Sequence, residues 1–182
     1  MKFNDAPIVS ISDAFDGGNG KFVETTTSGG QATVTVQIKP DIYTELEKKH
    51  HFQHFYFRSA VKGAGKVKYA ITNAGDASYA KAWKDSTTFA SVNPSDPGSW
   101  KRVLDTSYDA STGHLTWSYN HKASGSVYFA YFPPFSYERH LELISSCESS
   151  PDCEVKSLGK TLDGREIECV SLGSGNRTCW IT

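Results

Sequence analysis

The run QATVTVQIK, residues 31–39, alternates strictly: Val34, Val36 and Ile38 fall on one side, Thr33, Thr35 and Gln37 on the other. A period of two fits an extended strand with one buried face and cannot serve a helix. The same signature returns in KVKYAIT, where Val67, Tyr69 and Ile71 share a face. QHFYFRS, TTFASV, WKRVL, HLTWSY and SVYFAYF continue the series. Turn-forming stretches separate these runs: DGGNG, SGG, GAG, NPSDPGS, DASTGH and KASG. Short strands at such spacing predict an antiparallel β-sandwich over residues 1–132. Trp100, Trp117, Tyr119, Phe129 and Phe132 fall within the strand runs and are expected in its core.

The pattern changes at FPPFSYERHLELISSC. Pro133 and Pro134 cannot donate ladder hydrogen bonds and end the last strand. Ser136 is placed to cap a helix, with Glu138 in its first turn and Tyr137, Leu141 and Ile144 recurring on one face. EVKSLG, a turn at Asp163–Gly164, REIECVSLG, a turn at SGN, and TCWIT follow. A helix followed by strands reads as the start of an α/β domain, residues 133–182, too short for a core of its own. The chain is thus mainly β, with the first helix and strands of a second domain. From spacing alone, the glycine-rich turn makes ECVSL and TCWIT a hairpin, with Cys169 opposite Cys179.

A net charge of −1 gives no global field for nucleic acid or an anionic membrane, so neither is expected as a partner. No apolar run approaches the roughly 20 residues that span a bilayer. Lys2 is not followed by an apolar segment of the secretory kind, so the expected compartment is the cytoplasm. Free thiols suit that compartment. Cys147 and Cys153 are spaced to close a small loop under oxidation, whereas Cys169 and Cys179 lie on apolar strand patterns and are expected in the core.

Chemistry-bearing groups are sparse. His50, His51 and His54 crowd together, but the run after them is a strand, so they read as a polar strand entry and not a metal site. There is no G-x-S-x-G and no phosphate-binding glycine loop opening a helix. Glu166 and Glu168 share a strand face beside Arg165 and are expected to be solvated. No catalytic and no metal-ligating residue is assigned. Tyr131, Phe135 and Tyr137, set around two prolines, are the candidate substrate-binding residues, although the same loop could simply fix the crossing between the domains.

VYFAYFPPFSYERHLELI, then LGKTLDGREIECVSLG and CWIT, resemble the cytosolic carboxypeptidase subfamily of zinc carboxypeptidases. FDGGN, QHFYFR, YAITNAGDASY and WSYN resemble that subfamily's N-terminal β-sandwich domain. Two stretches depart from it: His54 stands where a tryptophan is expected, and SSCESSPDCE has no counterpart. The resemblance implies that the strand at CWIT leads into a His-Pro-Gly-Glu motif carrying two zinc ligands, with a further histidine and a general-base glutamate downstream. None of these is in this sequence. It therefore implies zinc and peptide or protein C-termini for the full-length enzyme, but no metal bound by this chain and no peptide hydrolysis by it alone. It also implies a later strand between ECVSL and TCWIT, whose absence would leave TCWIT with an unpaired edge, and this arrangement is expected in place of the hairpin that spacing alone suggests. The competing reading is a stand-alone β-sandwich that binds or scaffolds a protein or glycan partner.

Overall fold

A computed structural model describes residues 6–41 and 51–181. Among the described residues before Pro134 there are ten strands: β1 Ile8–Ser12, β2 Lys21–Ser28, β3 Gln31–Gln37, β4 Tyr56–Lys62, β5 Gly65–Ile71, β6 Thr88–Ser91, β7 Lys101–Val103, β8 Ser107–Asp109, β9 His114–His121 and β10 Gly125–Ala130. They form two five-stranded sheets, in the orders β1-β4-β10-β6-β7 and β2-β3-β5-β9-β8. The alternation seen in the sequence decides which side chains lie between the sheets. Val34 and Val36 of β3, Tyr69 and Ile71 of β5, and Trp117 of β9 are all essentially buried. Phe57 of β4 faces them and pairs with Phe129 of β10. Fully burying each such side chain contributes about 1.5–3 kcal/mol, so this layer dominates the stability of the sandwich.

All pairings in the two sheets are antiparallel except β3 with β5, which run parallel with Val34 opposite Tyr69 and Val36 opposite Ile71. The chain leaves β3, runs through β4 in the other sheet and returns as β5. Two crossings restore the original direction, so the second sheet is mixed. Where β4 begins, Gly20 passes so close to Phe57 that a Cβ there would lie 2.7 Å from the Phe57 Cβ.

A smaller cluster covers the outer face of the first sheet, with Tyr56 and Trp100 buried together and Phe15 and Tyr128 packed on them. Trp100 lies just before β7 and still packs as expected. Phe132 is not in the core: it lies beyond the end of β10, next to the two prolines, and is 49% exposed.

The boundary between two compact units falls between Pro134 and Phe135. In the second unit, α1 (Tyr137–Glu148) starts where Ser136 Oγ accepts from the Arg139 N–H at 3.4 Å. Of the expected apolar face only Ile144 is buried, while Leu141 is 45% exposed. Strands β11 (Cys153–Lys160) and β12 (Glu166–Leu172) form an antiparallel hairpin. Its turn is closed by Thr161 N–H donating to Arg165 O at 2.8 Å, and Gly164 takes φ +78° there.

The strand expected at TCWIT is corrected: residues 178–181 are not one. The hairpin that spacing alone suggests, set aside for the arrangement the resemblance implies, is not formed, and Cys169 pairs with Lys156. Among the described residues no strand lies against this segment, so its backbone groups have no ladder to join. Cys179 is consequently exposed instead of buried, and Trp180 and Ile181 are exposed with it. Cys169 is half-buried.

Candidate functional site

The loop YFPPFSY spans the unit boundary, and its three candidate aromatics belong to different units. In the first unit, Tyr131 N–H donates to Phe55 O at 3.0 Å, continuing the backbone pairing beyond β10. Its ring meets Trp83 edge-on at 4.8 Å, which leaves it half-buried against the core. In the second unit, the Arg139 guanidinium lies 4.9 Å over the Phe135 ring, which is 56% exposed. Arg165 lies 4.2 Å over Tyr137, whose ring also stacks on His140 at 5.9 Å. These cation–π contacts cover aromatic faces that a ligand would otherwise use.

The rest of the second unit binds the helix to its hairpin. His140 Nε2 lies 2.8 Å from Glu168 Oε2. Glu168 is therefore not a solvated carboxylate as expected, since α1 packs over its strand and supplies it with a partner. Glu166 accepts from Ser157 Oγ and pairs with Lys160, and these neighbours hold its carboxyl below the usual range. Glu138 is likewise held low, by its own backbone N–H and then by Ser136 at the helix start.

The histidine-rich entry to β4 spreads apart. His50 lies outside the described residues. His51 Nδ1 is 2.8 Å from Ser78 Oγ, and that hydroxyl also accepts from Phe52 N–H, which clips the segment to the loop after β5. His54 instead packs against Phe132, with ring centroids 5.0 Å apart. Burial holds its imidazole below the ordinary value, opposed by the Gly17 carbonyl and Asp41. Among the described residues no group of three or more His, Cys, Asp or Glu side chains is placed to hold a metal ion. These residues do not fit a zinc centre, and no reaction step is assigned through one.

One polar feature was not anticipated. Inside the sandwich, Tyr69 Oη lies 2.8 Å from Ser59 Oγ and 2.9 Å from His121 Nε2, and all three residues are buried. Burial pushes the Tyr69 hydroxyl well up, so it stays protonated and able to donate. Burial also holds His121 below the usual imidazole value. The signal was present: Leu115, Trp117 and His121 share the inward parity of β9, which places the histidine among core residues.

This two-sheet sandwich followed by a helix and hairpin is found in solved carboxypeptidases. A metallo-carboxypeptidase from Burkholderia cenocepacia matches at TM-score 0.77 and 26% identity, over 92% of this chain and 41% of that one. One from Pseudomonas aeruginosa, solved with (2-guanidinoethylmercapto)succinic acid, matches at TM-score 0.71 and 29% identity, over 88% and 39%. An uncharacterized protein of Zymomonas mobilis is 34% identical over 95% of this chain and 41% of its own length. Residues 11–132 match the model of the cytosolic carboxypeptidase N-terminal domain, and the chain belongs to that family. It spans about two fifths of the length of these relatives. No helix among the described residues is long and apolar enough to cross a membrane.

Proposed function

We propose that these residues form the N-terminal part of a zinc-dependent metallocarboxypeptidase that removes C-terminal amino acids from peptides or proteins in the cytoplasm. The observation that carries this reading is the reach of the similarity. It extends through both units, over 88–95% of the chain, to proteins of which the chain spans only 39–41%. The zinc ligands and the general base then belong to the part of the enzyme not represented in these 182 residues. The succinic acid compound held by the Pseudomonas enzyme carries carboxylates, as every peptide C-terminus does, which supports peptide ends as the substrate class. Of the three aromatic candidates, Phe135 keeps the most surface to offer such a substrate. Neither nucleic acid nor a membrane is proposed as a partner.

The test is direct. The purified chain is incubated with zinc and peptides ending in glutamate or lysine, and released amino acid is measured. No release is expected, and turnover that a chelator abolishes would refute the division of labour. Reading the coding sequence after Thr182 tests the parentage separately. A continuation into His-Pro-Gly-Glu supports it, and a stop codon followed by unrelated sequence overturns it.

A further inference from the structure

The helix of the second unit is fastened to its hairpin at one end. His140 reaches Glu168, and Tyr137 lies under Arg165, so the N-terminal half of α1 is tied to β12 and to the turn before it. At the other end, α1 stops at Glu148 and β11 starts at Cys153, joined by CESSPDC, residues 147–153. Two successive turns fold this link back on itself. Ser150 N–H donates to Cys147 O at 3.1 Å, and Cys153 N–H donates to Ser150 O at 3.3 Å. Pro151 stiffens the link by fixing its own φ.

The two turns bring Cys147, at the end of α1, back toward Cys153, at the start of β11, so that the Cys153 sulfur bears on the Cys147 thiol. Both are reduced, and neither is fully buried. The remaining thiols are placed elsewhere: Cys169 sits opposite Lys156 on β12, and Cys179 is exposed beyond the hairpin.

We propose that Cys147 and Cys153 are a redox clasp, closed into a disulfide by exchange with a low-molecular-weight disulfide such as oxidised glutathione. One thiolate of the pair attacks the small disulfide, forms a mixed disulfide and releases one thiolate. The second protein thiolate attacks the protein sulfur of that mixed disulfide and releases the other. The two protein thiols lose their protons and two electrons, and the small disulfide is reduced to two thiols. The backbone turns already supply the chain reversal that the bond requires, so closure adds a covalent tie between the C-terminal end of α1 and β11. Burial and the neighbouring sulfur push the Cys147 thiol up, which makes closure faster at alkaline pH.

The sequence provides a clean assay. No Lys or Arg lies between Arg139 and Lys156, so trypsin releases both cysteines in one peptide, residues 140–156, while Cys169 and Cys179 fall in two others. The full chain is equilibrated with oxidised glutathione, alkylated, digested and weighed. The 140–156 peptide is expected to lose two hydrogens and to regain them with dithiothreitol. In the Cys153→Ser variant, Cys147 is expected to keep glutathione as an unresolved mixed disulfide. Amide exchange at Ser149, Ser150 and Cys153 is expected to slow in the oxidised chain. Glutathione persisting on both thiols of the parent, bonds from either thiol to Cys169 or Cys179, or two thiols that remain open to alkylation would each overturn the proposal. Unchanged exchange in the oxidised chain would overturn its role as a clasp.

Discussion

Removing the Tyr69 hydroxyl with Tyr69→Phe keeps the ring that stacks on Trp117 at 5.7 Å and deletes only the atom shared by Ser59 and His121. Two buried polar atoms, Ser59 Oγ and His121 Nε2, then lose the partner they share. A buried group left unsatisfied costs about 1–3 kcal/mol, partly offset because the tyrosine hydroxyl no longer has to be desolvated. The expected loss is about 2–4 kcal/mol, a large share of the 5–15 kcal/mol typical of a domain. Ser59→Ala alone should cost only about 1 kcal/mol, since Tyr69 still serves His121. In the Tyr69→Phe background the sign should change. Ser59→Ala then removes an orphaned hydroxyl, so it should be neutral or stabilising, a coupling above about 0.5 kcal/mol. Urea unfolding followed by tryptophan fluorescence reads the sandwich, because Trp83, Trp100 and Trp117 are buried there and Trp180 is exposed. A Tyr69→Phe variant within about 0.5 kcal/mol of the parent would refute the reasoning, as would Ser59→Ala costing the same in both backgrounds.

Two further outcomes are expected. Burial lowers the pKa values of His54 and His121 in the fold, whereas the unfolded chain takes up these protons near 6.5. The unfolded state therefore binds more protons just below that value, and stability should fall as pH drops from 6.5 toward the folded values, then level off. Thermal melts across this range would show it, and a His121→Gln variant that kept the full slope would remove His121 from the account. Gly20→Ala places a Cβ 2.7 Å from the Phe57 Cβ and should cost about 1–3 kcal/mol by overpacking. Denaturant midpoints measure this, and an unchanged midpoint would count against the close approach.

What the sequence made legible was whatever local chemistry decides. Alternation placed Val34, Val36, Val67 and Ile71 inward, and Ser136 marked the helix start, because parity and capping depend on neighbours along the chain. The parallel pairing of β3 with β5 has no such local mark, since it depends on β4 joining the other sheet. Glu168 read as solvated because its partner, His140, comes from a separate element and meets it only once the helix packs. TCWIT carries strand propensity, but a strand exists only through its ladder, and among the described residues nothing pairs with it. The YFPPFSY aromatics were recognisable as a cluster in sequence, while the arginines that cover Phe135 and Tyr137 were not.

The order of the strands also governs how the protein can be made. β10 lies between β4 and β6, and β9 between β5 and β8, so the last two strands of the sandwich fill interior positions of both sheets. A nascent chain that has reached Asp109 carries two sheets, each with a gap, and their edges stay open until Ala130 has been added. At translation rates of about 5–20 residues per second that interval lasts roughly 1–4 s. Throughout it the half-built sheets expose open edges that can pair with other chains.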